Sequence, residues 1–65
     1  MKPLIEYFNT NIRLTDIDGK QWPGYVETYT PAIDSEVEIE EVGVMTQQGL
    51  ISFRADEIKE IHIID

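Results

Sequence analysis

Apolar and polar residues alternate in short runs along most of the chain. Ile12 and Leu14 are separated by Arg13 and followed by Thr15, the period-2 pattern of a half-buried strand. Asp18-Gly19 follows as a hairpin signal, because glycine accepts the positive φ of primed turns, and predicts a second strand beginning at Lys20 to Trp22. Trp22-Pro23-Gly24 predicts a bend or bulge there, since Pro23 lacks a donor and Gly24 a side chain. Tyr25 to Tyr29 then continues the strand with aromatic and β-branched residues.

Thr30 to Ser35 reads as a loop. Val37-Glu38-Ile39-Glu40 alternates, and Val42-Gly43-Val44 alternates again with opposite parity, which predicts a third strand with a bulge or two short strands sharing a kink. Thr46 to Gly49 makes a turn into a fourth strand with Ile51 and Phe53 on one face. Ala55-Asp56-Glu57 predicts a single 3₁₀ turn, and Ile58 opens a fifth strand, where Ile61 and Ile63 share a face opposite His62 and Ile64. Before all of these, Pro3 to Asn9 spaces Leu4, Ile5 and Phe8 for a helix of about two turns, one that needs a sheet to cover. The pattern predicts an all-β fold of five strands with a short N-terminal helix: a small barrel forming one domain over 1-65, with 1-11 as helix and connection.

Composition narrows the chemistry. Sixty-five residues without a cysteine have neither disulfides nor thiolate metal sites to stabilise a small core, so oligomerisation is an expected compensation. The missing cysteines and the lack of a long apolar run lead us to expect a soluble, cytoplasmic protein with no membrane partner. Thirteen acidic residues against five basic give a net charge of -8, which opposes the counterion release that drives nucleic-acid binding.

No catalytic constellation is legible. Ser35 and Ser52 have no activating motif, and His62 has no neighbours at metal-ligand spacing. Asp16-x-Asp18-Gly19 resembles part of a calcium loop, but that register puts Leu14 and Tyr25 at two ligand positions. We therefore expect no enzyme activity, no cofactor and no metal. Glu36, Glu38 and Glu40 read as a solvated acidic face, and Trp22, Tyr25 and Tyr29 as core aromatics ahead of a base-stacking platform.

Gly19 and Gly24, flanked by Ile12-x-Leu14 and Tyr25-Val26, resemble the first motif of the Sm-like (LSm) family. Phe53-Arg54-Ala55-Asp56-Glu57-Ile58-Lys59-Glu60-Ile61 is similar to its second. The resemblance spans nearly the whole chain and implies a strongly bent, SH3-like barrel. It implies rings joined through the fourth and fifth strands, placing Leu50, Ile51, Ser52, Phe53, Ile61, Ile63 and Ile64 at a subunit interface. It also implies single-stranded RNA contacts at Tyr29, Thr30, Arg54 and Ala55. The chain departs from the family where Thr30 to Glu36 replaces the loop carrying a base-contacting asparagine, and where Ala55 replaces a glycine. The leading expectation is thus a non-catalytic, oligomeric scaffold or protein-interaction module. An RNA-binding ring is the alternative, and an acidic mimic of nucleic acid the weaker one.

Overall fold

The computed structural model describes residues 2–64; Met1 and Asp65, the outermost positions of the expected domain, lie outside them. Five strands form: β1 (Asn11–Asp16), β2 (Gln21–Thr30), β3 (Glu41–Thr46), β4 (Gly49–Arg54) and β5 (Ile58–Ile63). All neighbouring pairs are antiparallel, in the order β4-β3-β2-β1-β5. β4 and β5 are therefore the edges. The molecule measures 28 × 24 × 23 Å, so the sheet coils around its own core instead of lying flat. Every strand contributes to that core, which gathers Ile12, Leu14, Val26, Val42, Val44, Phe53, Ile58 and Ile61.

The N-terminal segment corrects one expectation. Instead of two helical turns, Leu4–Tyr7 forms a four-residue 3₁₀ turn, with the Glu6 N–H donating to the Pro3 carbonyl at 3.0 Å and the Phe8 N–H to Ile5 at 3.1 Å. Residues three apart eclipse in a 3₁₀ helix, so Leu4 and Tyr7 are buried, while Ile5 and Phe8 are exposed. Asn9, at φ 62°, then takes the left-handed conformation that asparagine tolerates.

Two bulges explain apolar spacings that strict alternation does not. In β2 the register against β3 shifts between Val26 and Thr28, leaving Glu27 as the extra residue. The register shift thus falls at Glu27, and no bulge forms at Pro23-Gly24, which pair with Arg13 and Ile12 without interruption. Gly24 has a different role. A Cβ there would stand 2.4 Å from the Met45 carbonyl oxygen, so glycine permits β2 and β3 to approach closely. In β5 the register against β1 passes from Glu60 to Ile58, so Lys59 is extra, and Ile58 and Ile61 are both buried despite odd spacing.

Val37 to Glu40 is a second correction, because no strand forms there. Ala32–Asp34 makes a 3₁₀ turn, the Glu38 N–H donates to the Ser35 carbonyl at 3.0 Å, and Glu38 adopts φ 56°. A residue in the left-handed region ends extended pairing. Val37 is exposed, and the third strand begins at Glu41. The predicted 3₁₀ turn at Ala55–Glu57 is present.

Candidate functional site

The four residues matched to RNA contacts gather at one end of the sheet. Thr30 pairs with Glu41, which pairs with Arg54. The Ala55 N–H donates to the Glu40 carbonyl at 2.9 Å, and the Tyr29 hydroxyl to Glu40 Oε1 at 3.0 Å. That carboxylate raises the Tyr29 pKa above its ordinary 10.0, because it accepts the phenolic proton's hydrogen bond; burial and the negative charge of Glu40 act in the same direction.

Arg54 is already engaged. Its Nε donates to Asp56 Oδ1 at 3.0 Å and lies 3.8 Å from Glu57 Oε1, while the Arg54 backbone N–H donates to Glu57 at 2.9 Å. These groups are about half exposed, so the pairs orient the side chain without adding much stability. The groove beside it is lined by Asp34, Ser35, Glu36, Val37, Glu41 and Arg54. A guanidinium held by carboxylates and facing further carboxylates is poorly placed to receive a phosphate.

The residues matched to a subunit interface divide between the two edges. Leu50, Ile51, Ser52 and Phe53 lie on β4, and Ile61 and Ile63 on β5; Ile64 follows, its N–H donating to the Asn11 carbonyl at 2.9 Å. Within one chain these sets sit at opposite ends of the strand order. Phe53 and Ile61 point into the core and can offer an incoming strand only their backbone. Leu50 (52% exposed), Ile63 (38%) and Ile64 (41%) present apolar side chains to solvent.

Asp16 and Trp22 carry more than the sequence discloses. Asp16 Oδ1 accepts the backbone N–H groups of Asp18 and Lys20, each at 2.9 Å, and Oδ2 accepts Trp22 Nε1–H at 2.9 Å. The indole hydrogen bond does most to depress the Asp16 pKa below 3.8; burial opposes it, and the backbone N–H groups of Lys20 and Asp18 and the Lys20 charge add to the depression. Trp22 lies 5.6 Å from Phe53 between ring centroids, with Lys20 Nζ 4.1 Å from the centre of its ring. The Asp-x-Asp-Gly spelling marks an Asx-type turn, a legible signal; the indole partner six residues away is not.

Among the described residues, no group of three or more acidic or histidine side chains is placed to hold a metal ion, and no helix is long and apolar enough to cross a membrane. No family model, curated protein or solved structure matches the chain. What stands is a class: a small, mostly β protein with one five-stranded antiparallel sheet and two open edges.

Proposed function

We propose that this chain is a non-catalytic Sm-like scaffold subunit. In this reading the coiled sheet is an Sm-like, SH3-like barrel that assembles with further copies through β4 and β5, and its acidic end meets protein partners. The complementarity of the two open edges carries the reading. When β4 lies antiparallel to the next copy's β5 with Leu50 opposite Ile64, Ile51 falls opposite Ile63, Ser52 opposite His62, Phe53 opposite Ile61 and Arg54 opposite Glu60. The exposed Leu50 meets the exposed Ile64, Ile51 meets Ile63, the core-facing Phe53 and Ile61 meet through their backbones, and the opposed formal charges of Arg54 and Glu60 differ in sign. A slip of one residue turns every side chain to the wrong face. A slip of two places Leu50 opposite His62 and Ser52 opposite Glu60.

The natural absence of cysteine gives a clean test. A chain carrying both Leu50→Cys and Ile64→Cys should form a ladder of disulfide-linked multimers on mild oxidation, because directly opposed cross-strand positions lie within disulfide reach. A chain carrying Leu50→Cys and His62→Cys should cross-link poorly. A strict monomer by light scattering at high concentration overturns the assembly reading.

The convergence of Tyr29, Thr30, Arg54 and Ala55 on one end supports the RNA-binding alternative. Short uridine- or adenosine-rich RNA at low salt tests it: binding that Arg54→Ala weakens would favour RNA over a protein partner, and no binding there removes it. The acidic-mimic reading rests on the same carboxylates and requires salt-sensitive association with a basic protein.

A further inference from the structure

On the side away from the acidic end, β2 changes partners along its length. Its ladder with β1 covers Gln21 to Tyr25, whereas pairing with β3 starts only at Tyr25. Hydrogen bonds at both ends of this stretch establish which way its backbone points. The Asp16 N–H donates to the Lys20 carbonyl at 2.9 Å, and the Val26 N–H to Thr10 at 2.9 Å. Backbone groups alternate sides along an antiparallel strand, so Trp22 and Gly24 also address β1. Gln21 and Pro23 address the other side, where no strand pairs with them. This accounts for proline in a ten-residue strand, since its missing donor falls on the unpaired side.

That unpaired stretch forms one wall of a cleft of about 210 Å³. Lys20, Gln21, Trp22 and Pro23 line one side, and Thr46, Gln47 and Gln48 of the β3–β4 turn line the other. No carboxylate is among these residues, in a chain with 13 acidic groups. Lys20 forms no ion pair among the described residues, and its ammonium is held against the Trp22 ring, 4.1 Å from the centre. The cleft therefore offers a preplaced cation that forms no salt bridge among the described residues, although its charge also acts on the Asp16 carboxylate bonded to Trp22, together with three carboxamides and a short run of unpaired strand backbone.

We propose that this cleft binds the carboxylate end of an extended peptide. The peptide main chain complements the free groups of Gln21 and Pro23 as a short added strand, and its terminal carboxylate pairs with Lys20. The unpaired strand edge favours a polypeptide over a nucleotide, because a nucleotide has no row of amide groups to match it. The volume, below the roughly 300–1,000 Å³ of drug-sized sites, suits the last one or two residues of a chain.

Trp22 is the only tryptophan, so its fluorescence reports on the cleft directly. The probe is an acetylated hexapeptide of alternating Thr and Val with a free C-terminal carboxylate, titrated to roughly millimolar concentration. We expect a saturable change in Trp22 emission, binding about tenfold weaker for the same peptide amidated at its C-terminus, and a similar loss in Lys20→Gln, corresponding to about 1.4 kcal/mol. Circular dichroism verifies that Lys20→Gln is folded, and Lys59→Gln on the remote β5 bulge should bind as the parent does. Equal binding of acid and amide peptides, no loss in Lys20→Gln, no saturable response, or tighter binding of uridine monophosphate than of the free-acid peptide would each overturn the assignment. None of these measurements depends on edge-to-edge assembly.

Discussion

Three donors converge on the Asp16 carboxylate, joining the first turn to the start of β2 and to the only tryptophan. A carboxylate whose folded pKa is depressed contributes stability that is present above its unfolded value and is lost as pH falls through the folded one. The Asp16 contribution should thus be complete above pH 3.8 and disappear in more acidic solution. Thermal unfolding followed by Trp22 fluorescence should show that loss, and Asp16→Asn, which cannot accept the same three donors as an anion, should lower the melting temperature and flatten this acid limb. Tyr29 has the opposite sign. Its pKa is raised above 10.0, so the contribution of its bond to Glu40 is present below that value and is lost as pH rises through the folded pKa. Absorbance titration at alkaline pH should reveal a late-titrating tyrosine that Tyr29→Phe removes. The glycines also separate at this scale. Gly24→Ala places a Cβ against the Met45 backbone and should cost about 2–4 kcal/mol. Gly19→Ala meets no atom within 4 Å and should cost only about 1 kcal/mol, for its φ of 85°. Urea denaturation of the two variants distinguishes these costs.

Strand existence was readable in the alternation; strand limits and bulges were not. Ile12 and Leu14, Val42 and Val44, and Ile51 and Phe53 carry a period of two that reports a face buried against a core, and each pair lies in a strand. Val37-Glu38-Ile39-Glu40 carries the same period and forms none, because Glu38 is left-handed and the segment closes a turn on Ser35. Glu38→Gly should therefore raise stability by up to about 1 kcal/mol in chemical denaturation, whereas glycine within a true strand would lower it. The N-terminal segment follows the same logic. Leu4, Ile5 and Phe8 fit an α-helical stripe in isolation, but the connection through Asn9 and Thr10 hydrogen-bonds to β2 at Val26, and the tighter turn presents Leu4 and Tyr7 to the core.

Over the whole molecule, charge opposes the proposed assembly. Each copy carries a net charge of -8, so association through apolar edges must overcome mutual repulsion. Raising the salt concentration from about 0.05 to 1 M should strengthen self-association, since screening weakens that repulsion more than it weakens one opposed pair at Arg54 and Glu60. Sedimentation velocity across this range measures the effect; dissociation by salt would show that ion pairs, not apolar edges, hold copies together. The acidic end was partly legible, because Glu36, Glu38, Glu40 and Glu41 crowd one stretch. The partners of Arg54 were legible too, being two and three residues away.

The sequence by itself determined the class of fold: short alternating runs and turn glycines encode strands that reverse, and hydrophobic burial makes that encoding local. It also determined the chemistry on offer, an acidic surface with neither thiols nor a nucleophile motif. Only the tertiary structure decided where β2 exchanges β1 for β3, which residues become bulges, and how Lys20, Trp22 and the glutamines of a distant turn come to face one cleft. These depend on how a coiled sheet satisfies its backbone hydrogen bonds around a filled core, a constraint shared among strands far apart in the chain.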